Sequence, residues 1–201
     1  MSREIAFVHV PKTGGVSLLG CCRECGVRVL DHDLRTPYHI SLATFKQHNP
    51  QYYSFAFVRN PWDRVVSSFF YLKSGGDRDD DQRDADKYLP YDSFREFVLG
   101  AFAAEDIFNQ IHFRPQYQWI SNEQGIAVDV IGRFESLEQD FQQIFHNLRL
   151  PVYRLHHSNR SKHDVFTSYY DEETWAVIGK AYQTDIELFN YAADFSGEGL
   201  E

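Results

Sequence analysis

The chain has 201 residues, of which 43% are hydrophobic and 16% aromatic, and it carries a net charge of −9 at neutral pH. Its length and apolar content suit one globular domain over residues 1–201. The acidic balance argues against nucleic-acid binding, which takes much of its affinity from a basic surface. The sequence shows no N-terminal apolar run that would form a signal peptide or a membrane span, and its number of cysteines is odd. We therefore expect a cytoplasmic protein that does not bind membranes.

The first predicted elements are a strand over residues 4–10 and a helix over 15–25 that Gly26 ends. The tight turn between this strand and this helix leaves backbone N–H groups unpaired. It directs them, together with the positive end of the helix, at one point, where an anion can bind. A charged side chain, two hydroxyls and two glycines that allow close approach of the backbone favour phosphate. The predicted phosphate-binding residues are Lys12, Thr13, Gly14, Gly15, Val16 and Ser17.

The same pattern returns further along the chain. A strand over 27–30 and a helix over 41–48 precede a strand over 53–58, after which Asn60 and Pro61 start a helix that runs to about Lys73. Alternating strands and helices predict an α/β fold, a parallel sheet with helices on both faces that binds ligands beyond the carboxyl ends of its strands. The junction before the helix over 15–25 and the junction after the strand over 53–58 are thus two anion sites at one sheet edge. Together they predict a ligand with two separate phosphates.

The remaining pattern is mostly helical. We interpret residues 74–90, with the charged run Asp77-Arg78-Asp79-Asp80-Asp81, as an exposed loop, either a solvated connection or an acceptor-side lid that orders on binding. Helices follow over 92–111, 136–148 and 171–191, with a strand over 128–134, and residues 195–201 are expected to form a frayed tail.

The first motif differs from the Walker A loop of P-loop nucleoside triphosphatases. There the lysine follows the last glycine and a hydroxyl binds magnesium, whereas Lys12 precedes both glycines here. We therefore predict a phosphate site that requires no metal.

Two segments together resemble sulfotransferases that use 3′-phosphoadenosine 5′-phosphosulfate. Pro11-Lys12-Thr13-Gly14-Gly15-x-Ser17 looks like their 5′-phosphosulfate loop, and Arg59-Asn60-Pro61-x-x-Arg64-x-x-Ser67 is similar to their 3′-phosphate motif. The pair resembles the carbohydrate and heparan-type, family 2-like branch, and weaker likeness continues through Arg133-Phe134-Glu135 and Asn159-Arg160-Ser161. The resemblance implies a P-loop-like sulfotransferase fold.

The resemblance also implies roles for individual residues. Arg59 and Ser67 are expected to bind the 3′-phosphate, and Arg160 and Ser161 the adenosine or the 3′-phosphate. His39 follows the second strand, on the predicted ligand side, and matches the catalytic histidine of heparan-type relatives, so we expect it to act as the base. His32 is its rival.

The resemblance implies transfer of a sulfuryl group to a hydroxyl of a carbohydrate, a glycosylated molecule or a small-molecule acceptor. Lys12 would stabilise the departing phosphate, and His112, Arg114 and Gln116 are candidates for the acceptor pocket. Two other functions stay open: a P-loop-type small-molecule kinase, and a phosphoadenosine-binding module without catalysis.

Overall fold

The computed structural model describes residues 4–30, 42–77, 79–151, 155 and 165–192. The chain divides into two units. The first unit is formed by residues 1–59 and 116–159, and the second by 60–115 and 160–201. One domain over 1–201 stays a prediction, and the expected tail over 195–201 lies outside the described residues.

The regular elements alternate between the two units along the chain. The first stretch contains β1 (Ile5–Val8), α1 (Gly15–Glu24), β2 (Arg28–Leu30), α2 (Leu42–His48) and β3 (Tyr53–Val58). The second unit then adds α3 (Pro61–Lys73), α4 (Asp79–Tyr88) and α5 (Phe94–Ala101). The chain returns to the first unit with α6 (Tyr117–Ile120), β4 (Ser121–Asn122), β5 (Gly125–Ile126), β6 (Val130–Arg133) and α7 (Leu137–Asn147), and ends in the second with α8 (Glu172–Ala181) and α9 (Gln183–Phe189).

The first unit contains a parallel sheet in the order β2-β1-β3-β6. Phe7 pairs with Phe55 across β1 and β3, and Val58 pairs with Arg133 across β3 and β6. All these pairings are parallel, so the carboxyl ends of β1, β3 and β6 lie at one edge. The predicted α/β fold with a parallel sheet flanked by helices is therefore confirmed.

Aromatic side chains form the core of the first unit. Phe7, Phe55 and Phe57 are fully buried and pack in one cluster with Phe141 and Phe145 of α7. Alternate residues of a strand point to one face, so the Phe7 and Phe55 register lines a continuous surface for the helices. The loops that follow β1 and β3 begin directly after these packed strands.

The cysteines belong to the same unit. Cys21, Cys22 and Cys25 are free thiols, and Cys22 is fully buried in the core. Burial, reinforced by its two cysteine neighbours, raises the pKa of the Cys22 thiol. Among the residues that the structure describes, no group of His, Cys, Asp and Glu side chains is arranged to hold a metal ion. None of the described helices is long and apolar enough to span a membrane.

The second unit is built around α3. Asn60 caps this helix, since its side chain accepts hydrogen bonds from the main-chain N–H groups of Trp62 and Asp63. The Trp62 ring stacks on Trp175 of α8 with 4.3 Å between ring centroids, and its Nε1 donates to the Trp175 carbonyl at 3.0 Å. The predicted start of α3 is thus confirmed, cap included.

Residues 74–90 differ from the exposed loop predicted for them, because α4 occupies most of the segment. Its first turn holds Asp79, Asp80 and Asp81, and negative charge stabilises the N-terminus of a helix. Asp81 is buried and accepts a hydrogen bond from the Tyr71 hydroxyl at 2.7 Å. Charge that we interpreted as a sign of solvation therefore favours a helix at this point.

Two predicted helices are shorter than expected. In place of a helix over 92–111, α5 ends at Ala101 and a 3₁₀ turn covers Glu105–Asn109. The helix predicted over 171–191 is divided at Tyr182, whose backbone leaves the helical region (φ −113°, ψ 24°). Tyr182 is buried, and its hydroxyl donates to the Phe113 carbonyl at 2.5 Å. This tertiary contact accompanies the break in the helical pattern.

The start of α8 yields a stability prediction. Asp171 caps the helix, and hydrogen bonds from the N–H and hydroxyl of Thr174, together with Arg95, lower the pKa of its carboxyl to about 2. We expect Asp171→Ala to lower the free energy of unfolding by roughly 1 kcal/mol at neutral pH. Because the folded-state pKa is depressed, this contribution is complete above pH 4 or so, the ordinary carboxyl range, and disappears as the pH falls towards 2.

Urea denaturation of both proteins at several pH values measures the loss. Asp171→Asn is the matched control, since asparagine caps a helix about as well as aspartate. If Asp171→Ala were as stable as Asp171→Asn at neutral pH, the cap would contribute nothing.

Candidate functional site

The loop between β1 and α1 is folded tightly on itself. Lys12 and Gly14 both have left-handed backbones, with φ of 66° and 83°. Thr13 lies inside the loop, fully buried, and its hydroxyl donates to the Val10 carbonyl at 2.9 Å. Because the Thr13 hydroxyl already donates its proton within the loop, the group of Thr13 that can bind an anion is its main-chain N–H.

His9 lies against the beginning of α1. Its ring is buried, stacks on Phe7 with 5.9 Å between centroids, and its main-chain N–H donates to the Leu30 carbonyl at 3.0 Å. A Cβ added to Gly15 would lie 2.0 Å from Nε2 of His9. Only glycine therefore fits at the first residue of α1 while the ring keeps this position.

The N-terminus of α1 has the chemistry of an anion site. Gly14 precedes the helix without any side-chain cap, and no acidic residue lies in the first turn. Val16 is exposed, while Lys12 and Ser17 are partly exposed. The first N–H groups of a helix have no partner within the helix, and the positive end of its dipole attracts negative charge. The first turn of α1 is thus suited to phosphate.

Arg59 is fixed at several points at the end of β3. Its main-chain N–H donates to Oε1 of Gln116 at 2.9 Å, and Nε2 of Gln116 donates to its carbonyl at 2.8 Å. Its guanidinium lies over the ring of Phe134, 4.0 Å from the centroid, and Nη1 donates to the Lys12 carbonyl at 3.2 Å. Arg59 is only 5% exposed. A side chain of the predicted second motif therefore contacts the backbone of the first.

Phe134 comes from the end of β6 and also reaches the loop. It begins a 3₁₀ turn over Phe134–Ser136 directly after the strand. Its ring would lie 3.2 Å from a Cβ at Gly14, and Leu137 would lie 2.8 Å from the same atom. The ends of β1, β3 and β6 therefore supply the loop, the guanidinium and the ring that packs against both.

The structure brings together seven of the predicted site residues, all in the first unit: Lys12, Thr13, Gly14, Gly15, Val16, Ser17 and Arg59. Ser67 lies in α3 of the second unit and is buried. His39, its rival His32, Arg160 and Ser161 lie outside the described residues.

Sequence reasoning missed the roles of Gln116 and Phe134 beside Arg59. We considered Gln116 for the acceptor pocket, whereas its fully buried amide pairs with the main chain of Arg59. No spacing rule predicts such a pairing across 57 residues. For Phe134 a signal existed, since an aromatic residue that directly follows a sheet strand lies at the ligand edge of a parallel sheet.

Comparison with known proteins identifies the family of the chain. The model of the sulfotransferase family matches residues 2–192. The chain belongs to the sulfotransferase family. An uncharacterized protein of Archaeoglobus fulgidus is 35% identical to this sulfotransferase over 100 residues, which are 50% of this chain and 70% of the relative. No solved structure matches the chain.

Proposed function

We propose that this sulfotransferase takes the sulfuryl group of 3′-phosphoadenosine 5′-phosphosulfate and transfers it to a hydroxyl of a carbohydrate, a glycosylated molecule or a small-molecule acceptor. The observation that carries the proposal is the contact between the two motifs. The uncapped N-terminus of α1 and the Arg59 guanidinium belong to one sheet edge and are joined through the Lys12 carbonyl. A donor with phosphates at both ends of its nucleoside matches a helix N-terminus beside a cationic guanidinium.

On the 5′ side, Lys12, the main-chain N–H groups of residues 13–16 and the Ser17 side chain would hold the phosphosulfate, since the Ser17 N–H donates to the Gly14 carbonyl at 3.1 Å. These groups are partly positive before the reaction begins, so they can neutralise the charge that grows on the leaving phosphate without reorganising. The left-handed backbones of Lys12 and Gly14 shape this part of the loop.

On the 3′ side, we assign the phosphate to Arg59 and, from the family motif, to Ser67. A guanidinium suits this role because its planar fork donates two parallel hydrogen bonds to phosphate oxygens. Arg160 and Ser161 are proposed as further contacts to the 3′-phosphate or the adenosine, again from the motif.

The reaction needs a base. We propose that His39 takes the proton of the acceptor hydroxyl as that oxygen bonds to sulfur, while the bond between sulfur and the 5′-phosphate oxygen breaks. The products are the sulfated acceptor, 3′-phosphoadenosine 5′-phosphate and a protonated histidine, which returns its proton to solvent.

Nucleotide binding tests the donor assignment. We expect calorimetry to show far tighter binding of 3′-phosphoadenosine 5′-phosphate than of AMP, and Arg59→Ala to weaken binding of the first by roughly 2–4 kcal/mol through loss of charge-assisted hydrogen bonds. AMP is the matched control, because it lacks only the 3′-phosphate. Equal affinity for the two nucleotides would remove the proposed role of Arg59.

Metal dependence separates this function from the kinase alternative. Because Lys12 and main-chain N–H groups are assigned to the leaving group, we expect sulfuryl transfer to continue in EDTA. Phosphoryl transfer from ATP that stops without magnesium would favour a kinase. Tight binding of the donor without transfer to any acceptor in a broad screen would favour a binding module instead.

A further inference from the structure

We infer that Phe134 is a positioning residue that sets the orientation of the Arg59 guanidinium and thereby the preference of this enzyme for a 3′-phosphorylated nucleotide. The inference rests on the proposed function, because it takes Arg59 as the residue that binds the 3′-phosphate. It adds a residue whose side chain acts through Arg59.

The first argument is the contact itself. The guanidinium carbon of Arg59 lies 4.0 Å from the centroid of the Phe134 ring, and Arg59 is 5% exposed. An aromatic face attracts a guanidinium most strongly where water is excluded. The contact places the aromatic face against one side of the guanidinium, and arginine packs well on aromatic rings in this way.

The second argument is which part of Arg59 the Phe134 ring contacts. Gln116 holds the main chain of Arg59, at the N–H and at the carbonyl. The hydrogen bond from Nη1 to the Lys12 carbonyl holds one nitrogen of the guanidinium. The Phe134 ring packs against the guanidinium itself and so limits its movement, and paired hydrogen bonds to phosphate oxygens require a defined orientation of that group.

The third argument is that the ring is itself held in place. It packs against Gly14, where it would lie 3.2 Å from a Cβ. A ring confined between the loop and a guanidinium is a rigid support, whereas a side chain in solvent would follow the movements of the arginine. The ring therefore links the shape of the phosphate loop to the orientation of Arg59.

The test compares the preference of wild type and Phe134→Leu for 3′-phosphoadenosine 5′-phosphate over AMP, measured as the ratio of their dissociation constants. Leucine keeps an apolar side chain beside Gly14 but has no aromatic face. We expect the preference to fall about tenfold, the size of a desolvated cation–π contact, because binding of the 3′-phosphate is weakened more than binding of the 5′-phosphate that both nucleotides share. Phe134→Tyr, which keeps the ring, is expected to retain the preference.

Leu137→Val is the matched control. Leu137 also borders Gly14, at 2.8 Å from the same Cβ position, so this variant loosens the packing of the loop while the Phe134 ring stays. We expect it to leave the preference unchanged. In an Arg59→Ala background, Phe134→Leu is expected to cause no further loss of preference, because the group that it positions is gone.

The outcomes are distinct. Wild type that binds both nucleotides equally would overturn the proposed function. A wild-type preference that survives in Phe134→Leu, or that falls equally in Leu137→Val, would overturn the inference and leave the proposed function in place. If circular dichroism shows that Phe134→Leu does not fold, Phe134→Met takes its place with the same expected loss, since methionine fills a similar volume without a ring.

Discussion

Gly15→Ala is expected to abolish donor binding and to lower the free energy of unfolding. The added Cβ would lie 2.0 Å from Nε2 of His9, a distance that requires the ring or the helix to move. The ring cannot move freely, because it is buried and stacked on Phe7. Overpacking of this kind costs about 1–3 kcal/mol. A displaced first turn of α1 also no longer directs its N–H groups at the phosphate, and calorimetry with 3′-phosphoadenosine 5′-phosphate measures that loss.

Gly20→Ala is the matched control. Gly20 lies on the same helix, and a Cβ there would meet nothing within 4 Å. Alanine is the better helix former, so this variant is expected to gain about 0.5–1 kcal/mol of stability and to bind the donor normally. Adding His9→Ala to Gly15→Ala removes the obstructing ring and is expected to restore part of the binding. Normal donor binding by Gly15→Ala alone would contradict this account of the site.

The parts of the fold that were predicted correctly are those in which a short segment determines its own structure. Buried strands such as Phe55-Ala56-Phe57-Val58 are recognisable from their unbroken apolar residues. Asn60 and Pro61 mark the start of α3 because a cap and a proline act on their immediate neighbours. The phosphate loop belongs to the same class, since its glycines, its lysine and the following helix adjoin in sequence.

The parts that were predicted incorrectly depend on distant contacts. The α4 segment was interpreted as a loop from its charges, yet Asp81 is buried against the Tyr71 hydroxyl and Ala85 belongs to the core of the second unit. Tyr182 interrupts the last helix, and its hydroxyl contacts the Phe113 carbonyl, 69 residues earlier. Hydrophobic periodicity indicates which face of a helix is apolar, but it does not predict the residue at which a single polar contact ends that helix.

The candidate site shows the same division. The loop residues were identifiable from the sequence, and so was the presence of an arginine at the end of β3. The contacts that hold this arginine were not, because Gln116 and Phe134 reach it from segments 57 and 75 positions away, as their numbers show. Motifs identify the groups that touch a ligand, whereas the groups that hold those in place vary with the packing of each fold.

His39→Ala is expected to lower the turnover number by about 10²- to 10⁴-fold, the usual contribution of a general base. The assignment rests on the position of His39 between the two phosphate motifs and on the family resemblance. Donor affinity is expected to stay unchanged, because the imidazole is assigned to the acceptor hydroxyl and not to a phosphate. The wild-type rate should rise with pH through a group that titrates near neutrality, since a base must be unprotonated to accept a proton, and this dependence should vanish in His39→Ala.

His146→Ala supplies the control for His39→Ala. His146 is an exposed histidine in the last turn of α7, so its removal tests whether the loss of any surface imidazole changes the rate. Turnover at several pH values and calorimetry with 3′-phosphoadenosine 5′-phosphate are measured for both variants. A fully active His39→Ala enzyme would move the role of base to His32. A His39→Ala enzyme that lost donor binding along with turnover would show that His39 supports the donor site, and the acceptor proton would then need a different base.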